Sequence, residues 1–85
     1  MREYALPSGR KICVANVRGR YFAMDNVCPH RGAALGQGGV AMGRVVCPWH
    51  GYVFDPVTGV SEQDPACVVE RYAMEIAGED VLVDV

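Results

Sequence analysis

An 85-residue chain with 51% apolar residues makes one small domain with a packed core, and this composition excludes intrinsic disorder. Its net charge of −2, without a Lys/Arg run, excludes the basic footprint of a nucleic-acid binder. No stretch reaches the roughly 18 apolar residues of a membrane-crossing helix, and the N-terminus lacks a signal-peptide pattern. A cytoplasmic location is therefore expected, in which Cys13 and Cys67 stay reduced.

Arg2 to Leu6 reads as an edge strand, closed by the turn cluster Pro7-Ser8-Gly9. Lys11 to Val17 is nearly all apolar and suits a strand covered on both faces. Arg18-Gly19 is a tight hairpin turn, and Tyr21 to Met24 returns as the partner strand. Apolar residues do not recur at three and four here, so nothing in this stretch is helical. Gly32 to Gly43 holds five glycines, too many for a core element, and predicts a loop bent close around something. Val45 and Val46 make a short strand, Tyr52 to Phe54 another, and Asp55-Pro56-Val57-Thr58-Gly59 a turn. Ser61 to Pro65 is a polar connection. Val68 to Ile76 alternates, with Tyr72, Met74 and Ile76 on one face and Arg71 and Glu75 on the other, as in a half-buried strand. Gly78-Glu79-Asp80 turns it back into Val81 to Val85. The sum is an all-β domain of short antiparallel strands. Cys13 and Cys67 fall on apparent strands and read as buried free thiols acting as small apolar residues.

Charge is unevenly distributed. From Met1 to Arg44 there are seven basic and two acidic residues, whereas from Val45 to Val85 Arg71 alone opposes eight acidic ones. Strands that interleave in space are expected to average this out; strands that stay segregated would leave a dipole able to steer a charged redox partner.

The chemistry is concentrated in Cys28-Pro29-His30-Arg31-Gly32 and Cys47-Pro48-Trp49-His50-Gly51. Each stretch offers one thiol and one imidazole. Cys47 and His50 can close on one metal centre, while Cys28 and His30, one residue apart on a turn, diverge and suit a site with more than one metal atom. A cluster of two irons and two sulfides fits that geometry. Two Cys and two His also satisfy tetrahedral zinc, although Cys-x-His is not a usual zinc spacing. Pro29 and Pro48 stiffen their loops and remove an N–H from the donors that can reach a cluster sulfur. Gly32 and Gly51 stand where a side chain would block tight turning. A staple of this kind suits a chain whose core is small.

The paired loops, with Pro and Gly in register, resemble the cluster-binding motif of the Rieske family, and with the flanking strands the likeness covers nearly the whole chain. The resemblance implies a [2Fe-2S] cluster with Cys28 and Cys47 on one iron and His30 and His50 on the other. It also implies an antiparallel β-sandwich or barrel base, residues 1–24 and 55–85, with an inserted cluster-binding subdomain at about 25–54. Two imidazoles in place of two thiolates leave the oxidised centre neutral, so it accepts an electron more readily than a four-thiolate centre. Reduction is then expected to draw a proton toward His30 or His50.

High-potential members of that family join the loops with a disulfide and place a Ser and a Tyr after the second loop as hydrogen-bond donors to sulfur. Here those positions are Ala33, Trp49, Tyr52 and Phe54. Fewer donors predict a potential toward the low end of the Rieske range of about −150 to +300 mV. Trp49 is expected to pack over the loops, with a partner-docking role as the alternative, and Arg31 to be a solvated loop residue.

The function implied is that of a ferredoxin-type one-electron carrier, monomeric when free, between a reductase and a terminal oxidoreductase such as a Rieske oxygenase. The two histidines, His30 and His50, would carry electron entry and exit. Because no further histidine exists, a second mononuclear iron and His-dependent catalysis are excluded, so an enzyme acting alone is not expected. The alternatives are the small Rieske subunit of a nitrite-reductase-like complex and a zinc-stabilised interaction module.

Overall fold

The computed structural model describes residues 1–29, 32–49, 51–77 and 80–84. Among the described residues eight strands form: β1 (Arg2–Ala5), β2 (Lys11–Val17), β3 (Arg20–Asp25), β4 (Gly39–Ala41), β5 (Arg44–Val46), β6 (Val53–Phe54), β7 (Arg71–Ala77) and β8 (Asp80–Asp84). They make a five-stranded sheet in the order β1-β2-β3-β7-β8 and a three-stranded sheet in the order β4-β5-β6. All strand pairs are antiparallel. The all-β antiparallel expectation therefore holds among the described residues.

The β2–β3 register, Val17 opposite Arg20, leaves Arg18-Gly19 as a two-residue turn with positive φ at both positions. That backbone matches the twist of the flanking strands. Met42-Gly43 joins β4 to β5 in the same way, with Met42 91% exposed at the tip.

Alternation along β2 and β3 divides the core in two, because successive side chains leave a strand on opposite faces. Cys13, Ala15, Val17, Phe22 and Met24 point to one cluster, which also contains Cys28, Leu35, Val45, Cys47 and Phe54. Ile12, Val14 and Ala23 point to the other and pack with Tyr72. Burial of β2 on both faces follows the expectation. The first cluster is where the cysteine loops and the small sheet meet the large sheet.

Several expectations are corrected. The glycine-rich stretch does contain core structure: a single 3-10 turn spans Leu35–Gln37, with Leu35 fully buried, and β4 follows it. One buried leucine outweighs the flexibility of its glycine neighbours. Ser61 is buried rather than part of a solvated connection, because it bridges to Phe54 and its N–H donates to the Cys67 carbonyl at 2.9 Å. Cys67 lies outside the named strands, half-buried against the first cluster, and Val68 is 48% exposed. The strand starts only at Arg71, since Val68 makes an isolated bridge with Val60. Finally, the two halves of the chain do not interleave in the large sheet: β1, β2 and β3 lie side by side, with β7 and β8 beyond them. Strands β1 to β3 thus carry Arg2, Lys11 and Arg20 against Glu3 and Asp25, whereas β7 and β8 carry Glu75, Asp80 and Asp84 against Arg71. The expected turn at Gly78-Glu79, the end of the strand at Val85 and the side chain of Ile76 lie outside the described residues.

Candidate metal centre

Both cysteine loops are closed by the same device. Cys28 N–H donates to Ala33 O at 2.8 Å, and Cys47 N–H donates to Tyr52 O at 2.8 Å, so each cysteine bonds to the residue five positions ahead. The glycine at the fourth position after each cysteine has positive φ, 74° at Gly32 and 65° at Gly51. A Cβ on either would meet nothing within 4 Å. Crowding, the expected reason for glycine here, is therefore not the cause; the left-handed backbone is.

The sheets place the loops. The first leaves β3 at Asp25, and its neck is tied by the Val27–Ala34 bridge. The second leaves β5 at Val46 and returns through β6. Because the strand ends converge over the first core cluster, Cys28 and Cys47 are both buried there, close enough for Cys28 to perturb the Cys47 thiol. Burial pushes the Cys47 thiol up to about 11, with the adjacent Cys28 adding to the shift and the Trp49 N–H pulling it back. Pro48 has no N–H, so Trp49 supplies the first backbone donor after the cysteine.

The bare Cys47 thiol is thus protonated at neutral pH, and an unpaired thiolate in this apolar setting would be costly. A bound soft cation removes that cost, because the thiolate is the ligand form. Two adjacent buried sulfurs fit an iron–sulfur group. His30, Arg31 and His50, the other ligand candidates and the loop cation, lie outside the described residues.

The surroundings are apolar: Phe54 and Leu35 are fully buried beside the cysteines, and Tyr52 and Ala33 pack against the same cluster. No hydroxyl stands at Phe54 or Ala33. Trp49, expected to pack over the loops, has more than half of its surface, 56%, exposed. Cys13 is a free buried thiol whose hydrogen is directed to Asp25 O at 3.9 Å; burial, then the Asp25 and Glu3 charges, push it up to about 12. Cys67 is also free, and burial followed by the nearby Cys28 raises it.

Sequence reasoning missed Asn26 and Glu3. Asn26 is 3% exposed, donates from Nδ2 to Glu3 Oε2 at 2.7 Å and accepts the Gly36 N–H on Oδ1 at 2.7 Å. A lone Asn two residues before a cysteine carries no pattern, and Gly36 was legible only as one loop glycine among five.

A small all-β domain with two matched cysteine loops meeting over one core is the architecture of an iron–sulfur protein. The Rieske [2Fe-2S] domain model matches residues 5–74, and the chain belongs to that family. Its cofactor is the [2Fe-2S] cluster. The chain is 39% identical over 74 residues to the ferredoxin component of biphenyl 2,3-dioxygenase from Rhodococcus jostii, covering 86% of this chain and 69% of that one. It is 38% identical over 84 residues to human apoptosis-inducing factor 3, covering 98% of this chain. The chain spans only 14% of the length of that relative. Among solved structures, a ferredoxin of Sphingomonas yanoikuyae B1 superposes with a TM-score of 0.83 at 30% identity, over 98% of this chain and 84% of that one.

Proposed function

We propose that this domain is a one-electron carrier whose [2Fe-2S] cluster is held by Cys28, His30, Cys47 and His50, with the cysteines on one iron and the histidines on the other. The observation that carries the reading is the pair of free thiols, Cys28 and Cys47, buried in one core cluster and delivered by two loops of identical closure. When bound, the cluster supplies reversible one-electron chemistry at modest potential. The chain's own contribution is positional. Cys28 and Cys47 N–H groups lock the loops, Trp49 N–H supports the Cys47 sulfur, and Leu35, Val45 and Phe54 keep water from the sulfurs. Residues of about 25–54 act as the cluster-binding subdomain, set into a base of 1–24 and 55–85.

The ferredoxin relatives support a partner pair of this kind: a reductase as donor and a terminal oxidoreductase, such as an oxygenase, as acceptor. The exposed Trp49 beside the second loop suits such a transient contact. A free monomer in the cytoplasm fits the reduced state of Cys13 and Cys67. A low potential follows from Ala33 and Trp49, which cannot form a disulfide between the loops, and from Tyr52 and Phe54 at the donor positions, of which Phe54 has no hydroxyl. The one observation favouring a second reading, a fixed module of a larger redox assembly, is that nearly the whole chain aligns within a 14% segment of a longer relative.

The test is a spectroelectrochemical titration of the purified protein with metal and sulfide analysis. A reversible one-electron couple near the low end of the Rieske window supports the carrier. A clearly positive potential retains the cluster and overturns the tuning argument. A colourless protein containing zinc overturns the redox function. Native mass separates a free monomer from a fixed module.

A further inference from the structure

We propose that Asn26, gripped by the Glu3 carboxylate of the edge strand β1, is a positioning residue that sets where the Cys28 loop presents its thiol. The inference rests on the reading that Cys28 is a cluster ligand. Its basis is a closed set of hydrogen bonds. Asn26 N–H donates to Lys11 O at 3.1 Å, and Asn26 O accepts the Leu35 N–H at 2.7 Å. The side chain adds the two bonds to Glu3 and Gly36. One residue thereby joins β1, β2 and the Leu35–Gln37 turn.

Between those anchors lies the Cys28 loop. Val27 bridges Ala34, and Cys28 N–H donates to Ala33 O, so the two described arms of this loop are tied to each other. Both ends of that loop, residue 26 itself and residues 35 and 36, are tied through Asn26. Losing the Asn26 side-chain bonds therefore loosens the hold on the Leu35–Gln37 end of this loop and on β1 together.

Gly36 is an independent sign that the clamp is tight. Its φ is not left-handed, so backbone freedom does not explain it. Space does: a Cβ there would collide with Glu3 Cγ, lie 2.7 Å from Asn26 Oδ1 and 3.1 Å from Cys13 Cβ. The glycine-rich loop is bent close around this pair.

Asparagine is the residue this clamp requires. It offers one acceptor to Gly36 and one donor to Glu3, whereas aspartate would keep the acceptor and set two carboxylates against each other. The bond to an ionised Glu3 is charge-assisted. A fully satisfied buried amide also rigidifies its surroundings, since leaving any member unpaired is costly. All four residues of β1 are exposed, so what this strand gives the site is chiefly the Glu3 carboxylate.

The experiment is a swap on the purified holoprotein: Glu3→Gln, Glu3→Ala, Asn26→Asp, and Asn26→Asp combined with Glu3→Gln. The readouts are the rate of cluster loss to a chelator, the EPR line shape of the reduced protein, and Gly36 amide exchange. Glu3→Gln keeps an acceptor and should stay within about twofold of the parent. Glu3→Ala and Asn26→Asp should each lose the cluster about tenfold faster or more, with an altered line shape. The double variant, in which the new amide donates to the new carboxylate, should return to within about threefold of the parent. Unchanged loss and line shape in Glu3→Ala, or a swap that does not rescue, overturns the proposal. Should Asn26→Asp fail to fold, the exposed Glu3→Ala decides alone. A colourless parent protein would overturn the cluster reading itself; the clamp is then judged by Gly36 exchange, faster in Glu3→Ala if it holds and unchanged if it does not.

Discussion

Leu35→Ala probes the element that the glycine-rich stretch conceals. Leu35 is fully buried, so truncation forfeits the whole transfer term of three carbons, about 2.4 kcal/mol at about 0.8 kcal/mol per methylene. The site cannot collapse into the space left behind. Its backbone is pinned by Leu35 N–H to Asn26 O at 2.7 Å and by Gly38 N–H to Leu35 O at 3.0 Å. Its neighbours Cys28, Cys47 and Phe54 belong to closed loops and a paired strand. A residual cavity adds its own term, which places the total at about 3–5 kcal/mol. A chain of this size has about 4–13 kcal/mol of stability in all, so the loss is a large fraction. Thermal unfolding followed by far-ultraviolet circular dichroism should show a fall in Tm of at least about 12 °C. A fall below about 4 °C would mean that the turn is a surface flap and that the core assignment is wrong.

Four further outcomes are expected. Gly32→Ala and Gly51→Ala should each cost about 1–2 kcal/mol through left-handed backbone alone, with asparagine costing less than alanine; equal losses for both substitutes would point to crowding instead. Removing the metal should speed amide exchange at residues 28–34 and 47–52 while β2 and β3 stay protected; uniform loss of protection would show that the base does not stand without the cluster. Cys13 has an ordinary thiol value of 9.0 and is held up to about 12 in the fold. The unfolded chain therefore releases this proton first, so stability is full below pH 9.0 and falls as pH rises toward about 12; Cys13→Ala should remove that part of the alkaline slope in denaturant titrations. Trp49→Ala should change stability by less than about 0.5 kcal/mol and leave reduction by dithionite unaltered, yet slow reduction by a protein donor. Equal rates with both reductants would remove Trp49 from the docking surface.

Patterns confined to a few neighbouring residues were legible without the fold. An apolar run identified β2, and turn residues the Arg18-Gly19 hairpin and with it the all-β class, because strand and turn backbone depend on local sterics. The two Cys-Pro motifs likewise carried the choice of cofactor, since ligand type is chemistry written directly in the residues. Strand boundaries were legible only to within a few positions: Val68 reads as strand by composition, but without a ladder neighbour it forms only an isolated bridge.

What the chain determined by itself was the class of fold, the two candidate ligand loops and the iron–sulfur chemistry. Tertiary structure alone decided which distant groups meet. It buried the Cys28 and Cys47 thiols in one core cluster, buried Leu35 among the glycines, and kept strands of the two chain halves on separate sides of the large sheet. It also joined Glu3 to Asn26 across 23 positions of chain. Those outcomes depend on strand order and on which face each loop crosses, and a hydrogen bond between remote side chains has no local pattern from which to be read.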